Sequence, residues 1–123
     1  MSQMLQEPHV AVLLSTFNGE RFLRAQLDSL MNQSHRSWTL YWRDDGSRDG
    51  TVQILHDFSA VAGQGRCVQV TGPQKRMRPT ASFMTLLRAV KDRLAEDDMV
   101  AFADQDDVWL PEKLARTDSR VSN

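Results

Sequence analysis

Asp104-Gln105-Asp106-Asp107 sets three carboxylates within four residues, and they repel one another unless a cation or hydrogen-bond donors compensate. Alternate residues leaving a strand point the same way, so Asp104 and Asp106 can share one ion. Hard carboxylate oxygens suit Mg2+ or Mn2+, which completes its shell with waters and substrate phosphates. The plainer reading is a solvated acidic turn that caps a helix beginning near Pro111.

A second polar cluster, Asp44-Asp-Gly-Ser-Arg-Asp-Gly50, admits three readings. Asp49 and Gly50 suit a turn and helix cap. Asp45, Ser47, Asp49 and Gly50 match positions of a calcium loop, but the position for a bidentate Glu falls on His56 and a strand precedes the cluster, which excludes it. The third reading is a nucleobase reader, in which a carboxylate accepts the imide N–H of uracil or thymine. A third cluster, Ser15-Thr-Phe-Asn-Gly19, contains Phe17, an aromatic placed where it could stack on a base. A basic loop follows at Gly72 to Pro79, with Lys75, Arg76 and Arg78.

These clusters are spaced by recognisable elements. Val10 to Leu14 is a continuous apolar run, as in a strand buried on both faces. Leu23, Leu27, Leu30 and Met31 recur at helical spacing. Trp38 to Trp42 is a second strand, and Val52, Leu55 and Phe58 mark a second helix with Asp49 as its N-cap. Gly63 and Gly65 end that helix, and Cys67 to Thr71 is a third strand. Phe83, Leu86, Leu87, Val90 and Leu94 form the clearest amphipathic helix. Met99 to Ala103 is a fourth strand, and Pro111 opens a last helix carrying Leu114. Strands alternating with helices predict right-handed crossovers, a mostly parallel sheet and a three-layer α/β sandwich of Rossmann-like type. Ligands in such sheets bind beyond the carboxyl ends of the strands, where the three clusters converge.

The chain has 123 residues, the size of one domain, so residues 1–123 are read as a single unit. Its net charge of -1 gives no footprint for nucleic acid. One cysteine, Cys67, allows no intrachain disulfide and agrees with a reducing, cytoplasmic compartment. Met1 to His9 lacks the layout of a signal peptide, and no apolar run approaches the roughly 20 residues of a membrane span. Gly63-Gln-Gly65 follows a helix and has Val68 where a dinucleotide fingerprint needs glycine. His9, His35 and His56 are scattered and read as surface or packing residues, and Trp38 and Trp42 as core.

Val12-Leu-Leu-Ser-Thr-Phe-Asn18, Asp44 to Thr51, and Phe102-Ala-Asp-Gln-Asp-Asp-Val-Trp-Leu-Pro-Glu-Lys-Leu114 together resemble family-two glycosyltransferases of the GT-A fold. The last segment is most similar to the bacterial rhamnosyltransferase-like branch. The resemblance covers nearly the whole chain in the right order. It implies transfer of a sugar, with inversion, from a nucleotide-diphosphate donor (dTDP-rhamnose or a UDP-sugar) to a hydroxyl acceptor, in bacterial cell-surface polysaccharide synthesis. It places Ser15 and Phe17 on the nucleoside, Asp45 on the base imide, and Arg76 or Arg78 on the base or diphosphate. Asp104 and Asp106 become the acidic positions of the metal motif, Asp106 the direct ligand. Where the branch often has Asn before the Phe of the third helix, this chain has Ser82. The general base of the family follows the metal motif, so the resemblance implies a truncated, donor- and metal-binding half without the catalytic base or most of the acceptor pocket. It further implies a saccharide or lipid-linked acceptor, a cytoplasmic site peripheral to the inner membrane face, and self-association through the edge left at the fourth strand. Two alternatives stand beside it: a module that binds nucleotide sugar without turnover, and a haloacid-dehalogenase-like phosphatase with Asp104 as nucleophile and Asp106 as acid/base.

Overall fold

The apolar run at the start of the chain becomes β1, Val10–Thr16, whose Val10 to Leu14 are at most 1% exposed. It lies at the middle of a sheet in the order β3-β2-β1-β4, with β2 at Trp38–Asp44, β3 at Cys67–Gln69 and β4 at Met99–Ala103. All three pairings are parallel. The structure, a computed structural model, describes residues 8–63, 65–71, 77, 79–103, 109–111, 113 and 114.

Alternation along β1 sorts its side chains between two helical layers. Val10, Val12 and Leu14 meet α1 (Glu20–Met31) and α2 (Thr51–Ala62) through Leu23, Leu27, Leu30, Leu55 and Phe58. Ala11 and Leu13 meet α3 (Pro79–Val90) through Leu86 and Val90. The crossovers from β1 to β2 to β3 step one way along the sheet, and the crossover from β3 to β4 steps back past β1. A right-handed connection must then change faces, so α3 lies opposite α1 and α2. The result is the expected three-layer α/β sandwich.

Local boundaries differ from the sequence reading where tertiary pairing decides them. β1 and β2 run past their apolar stretches because the ladder continues through Ser15↔Arg43 and Thr16↔Asp44. β3 is only three residues, paired with β2 alone among the described residues, and stops short of Thr71. The third helix ends at Val90 and tightens into a 3-10 turn at Lys91–Arg93, so Leu94 is extended while still packing on the α3 side. Gly50, not Asp49, is the N-cap of α2. Asp49 stands one residue earlier and accepts the Thr51 amide at 2.9 Å. Lys113 and Leu114 are helical, at the place expected for the last helix.

Trp38 and Trp42 are core residues, each 1% exposed, and Trp38 stacks on Phe58 with ring centroids 6.5 Å apart. His35 is buried and donates from Nε2 to the Pro8 carbonyl at 2.8 Å, while His56 meets the edge of Trp42. Among the described residues, no helix is long and apolar enough to cross a membrane.

Leu55 is fully buried and Val61, on the same helix, is 73% exposed. Leu55→Ala should therefore cost about 2–5 kcal/mol in urea unfolding, and Val61→Ser should stay within about 0.5 kcal/mol of the parent. Equal effects at the two positions would contradict the layer assignment.

Candidate functional site

The strand order reverses between β1 and β4, which makes the carboxyl end of β1 the switch point where open α/β sheets bind ligands. Ser15 and Arg43 are partners across the β1–β2 ladder and lie on the α3 face. Ser82, fully buried near the start of α3, meets both: the Ser15 hydroxyl donates to Ser82 Oγ at 2.6 Å and Arg43 Nη1 donates to it at 3.0 Å. The same Arg43 nitrogen reaches Asp45 Oδ1 at 2.8 Å, with both side chains about 95% buried (4% and 5% exposed). Asp45 is the residue two beyond Arg43, so strand alternation brings their side chains to one face. From the loop after β3, the Met77 amide donates to both Asp45 oxygens, at 2.7 and 2.8 Å.

The opposite face of the same strand ends carries a separate set of contacts. Thr16, partner of Asp44 in the ladder, donates its hydroxyl to Asp44 Oδ1 at 2.8 Å. Asp44 also accepts the Gly46 and Ser47 amides and the Ser47 hydroxyl, folding the turn back on its own carboxylate. Gly46 has φ +97 with open space where a Cβ would stand, so conformation and not crowding requires glycine. Asn18, at φ 49, takes the left-handed conformation its side chain tolerates. It joins the two strand-end loops reciprocally: its amide donates to Ser47 Oγ, and its Oδ1 accepts the Arg48 amide.

Asp49 completes this clamp. The Thr51 hydroxyl and amide and the Glu20 amide all donate to its carboxylate, and Gly19 donates to Thr51 Oγ1. The Thr51 hydroxyl is the main reason that the Asp49 carboxyl titrates below its usual 3.8. Asp45, Ser47 and Asp49 thus turn to three different sets of partners, and the calcium-loop arrangement is not formed.

Asp104, Asp106 and Asp107 lie outside the described residues, as do Arg76 and Arg78. Both flanks of the acidic motif are described. β4 ends at Ala103, beside Leu14 of β1. Beyond the motif, the Trp109 amide donates to Ser29 Oγ at 3.0 Å, and Gln33 holds the Leu110 carbonyl at 2.8 Å and the Leu114 amide at 3.0 Å. Leu114 is fully buried in the α1–α2 core. The chain therefore enters the motif from the central sheet and leaves it onto α1. The carboxylates of Asp104 and Asp106 are the donor chemistry that Mg2+ or Mn2+ prefers. Among the described residues, no cluster of three or more His, Cys, Asp or Glu could hold a metal.

Of the residues read from the sequence, the structure brings Ser15 and Asp45 into one connected network, with Phe17 half-buried at the end of β1. Met77, between the two arginines in sequence, places its own amide against Asp45 at the carboxyl end of β2. Sequence reasoning missed Arg43, Ser82 and Gln33 as organisers. Arg43 carried a readable signal, a cation two residues before Asp45 on a strand. Ser82 was marked only as standing where the resembling branch often has Asn, and Gln33 carried no signal, because their partners lie far away in sequence.

Removing one member of a buried pair leaves the other charge uncompensated. Arg43→Ala should cost about 3–5 kcal/mol in denaturant unfolding, and Arg43→Met combined with Asp45→Leu distinctly less than that. For Asp49, the folded value is depressed, so its stabilising contribution is complete above about 4 and is lost as pH falls through the folded value. Asp49→Asn should remove that part of the acid transition, which a pH series of thermal melts would read.

Residues 11–117 match the family described as Glycosyl transferase family 2. The putative glycosyltransferase EpsE of Bacillus subtilis is 29% identical over 109 residues, covering 89% of this chain and 37% of that protein. The dTDP-rhamnosyl transferase RfbG of Shigella flexneri is 28% identical over 101 residues, covering 82% of this chain and 34% of its own length. Among solved structures, TarS 1-349 of S. aureus superposes with a TM-score of 0.74 at 22% identity, over 93% of this chain and 32% of that one, which shows the fold; a further structure of it holds UDP. The chain spans between 25% and 40% of the length of the first three curated relatives. By its sheet order, by its strand-end motifs and by a family match running from β1 through Leu114, this chain belongs to glycosyl transferase family 2.

Proposed function

We propose that this chain forms the nucleotide-sugar side of an inverting glycosyltransferase. The observation that carries the reading is the buried Asp45 carboxylate at the carboxyl end of β2, one strand from the switch point, already accepting an N–H donor. In this role Asp45 accepts the imide N–H of uracil or thymine, Phe17 stacks on the base, and Ser15 contacts the nucleoside. Arg76 or Arg78 reaches the base or the diphosphate. RfbG and the UDP complex of TarS support dTDP-rhamnose or a UDP-sugar as donor.

Asp104 and Asp106 hold Mg2+ or Mn2+, with Asp106 the direct ligand. When bound, the ion offsets the charge that builds on the departing diphosphate. The acceptor is a saccharide or lipid-linked hydroxyl at the cytoplasmic side of the membrane, in bacterial cell-surface polysaccharide synthesis, and its deprotonation needs a carboxylate base other than Asp104 and Asp106. Family membership favours transfer over the phosphatase chemistry that Asp104 and Asp106 would otherwise allow.

A second surface has its own consequence. Among the described residues, β4 is paired on one side only, and it carries the 52% exposed Phe102. Phe102 meets Phe83 edge-on at 5.2 Å. An apolar edge of this kind drives self-association. Sedimentation velocity should show a dimer or larger species that Phe102→Ser shifts toward monomer; a monodisperse parent monomer would overturn this.

Calorimetric titration with dTDP-rhamnose, dTDP and UDP, with Mg2+ or Mn2+ and with EDTA, tests the donor reading. Binding should depend on the metal and be lost in Asp106→Asn. Asp45→Ala should weaken it about 10- to 100-fold, the worth of a charge-assisted hydrogen bond. No binding by a protein that melts cooperatively would sink the reading, and binding without sugar transfer would favour the non-catalytic alternative.

A further inference from the structure

We infer that Arg43 and Ser82 are positioning residues that make Asp45 selective for nucleobases presenting a ring N–H. This inference rests on the reading of Asp45 as the base contact and extends it to what sets base choice. Arg43 sits on a central strand, 3% exposed, with Nη1 shared between Asp45 Oδ1 and Ser82 Oγ. Ser82 is fixed in turn by α3 and by the Ser15 hydroxyl at 2.6 Å. The carboxylate is therefore oriented by a cation on β2, which is held in turn by the Ser82 hydroxyl of α3 and, through it, by Ser15 of β1.

That arrangement has a chemical consequence. A guanidinium cannot release its proton and has no acceptor, and a buried one strongly favours an anionic partner. A carboxylate is acceptor-only. It can receive the N3–H of uracil or thymine, or the N1–H of guanine. It repels the bare N3 of cytosine and the bare N1 of adenine, which are acceptors themselves. Selectivity of this kind comes from leaving the wrong ligand with facing acceptors, and so from a penalty as much as from an attraction. In the structure the Met77 amide donates to both oxygens, at 2.7 and 2.8 Å, and the base N–H would take its place.

Ser82 has a distinct part. Its oxygen stops the guanidinium from swinging off the carboxylate and ties its position to the β1 end, where Ser15 lies. Arg43 and Ser82 thus act through Asp45 and need not touch the nucleotide.

The test is the ratio of affinities for UDP and CDP, measured by titration calorimetry with Mn2+ on the full chain, alongside a thermal melt. The parent should favour UDP by about tenfold or more. Arg43→Gln should bring the ratio close to one, Arg43→Lys should retain part of it, and Ser82→Ala should reduce it several-fold with little change in melting. In an Asp45→Asn background, whose amide can donate to cytosine, Arg43→Lys and Ser82→Ala should no longer alter the ratio. If Arg43→Gln does not fold, Ser82→Ala and Arg43→Lys carry the test. Folded variants with the parental ratio overturn this inference alone. A parent that binds neither nucleotide overturns the base-contact reading and this inference with it.

Discussion

A guanidinium buried at the end of a strand must find an acceptor, and the organisation of the candidate site follows from how Arg43 meets that requirement. Its partner is Asp45, two residues on, at 2.8 Å. The hydrogen-bonding capacity left over is taken in part by Ser82 of α3. Because the desolvation cost of such a pair rivals its Coulombic gain, it is poor evidence of stabilisation for its own sake. Its effect here is geometric: it locks the ends of β1 and β2, the start of α3 and the loop at Met77 into one arrangement.

The sheet determines why these elements meet at all. Parallel strands place all their carboxyl ends on one side, and the order β3-β2-β1-β4 makes β1 the centre of that side. Reversal of direction after β3 forces α3 across to the opposite face, which is why Ser82 can reach Ser15 and Arg43 while α1 and α2 cannot. The two faces of the same strand ends then divide the work. The α3 face holds the charged network, and the other face holds the Asp44, Asn18, Ser47 and Asp49 contacts that shape the two loops.

The acidic motif is bracketed by a comparable long-range device. Gln33, at the end of α1, bonds the Leu110 carbonyl and the Leu114 amide, and Leu114 is buried beneath. A buried amide side chain that satisfies two backbone groups of a distant segment fixes where that segment returns to the domain. The sheet fixes its departure at Ala103.

Sequence by itself determined the element types, their order, the fold class and the strand-end location of the polar clusters, because these follow from periodicity and turn chemistry within a few residues. It also marked Ser15 and Asp45, through motif resemblance. Tertiary structure alone decided the rest. The ladder, not local composition, carried β1 and β2 on to Thr16 and Asp44 and cut β3 to Cys67–Gln69. Capping geometry moved the start of α2 from Asp49 to Gly50. The roles of Ser82 and Gln33 lay beyond sequence reading because their partners are 67 and 77 residues away: local patterns record which face a residue prefers, and only packing determines which residue it finds there.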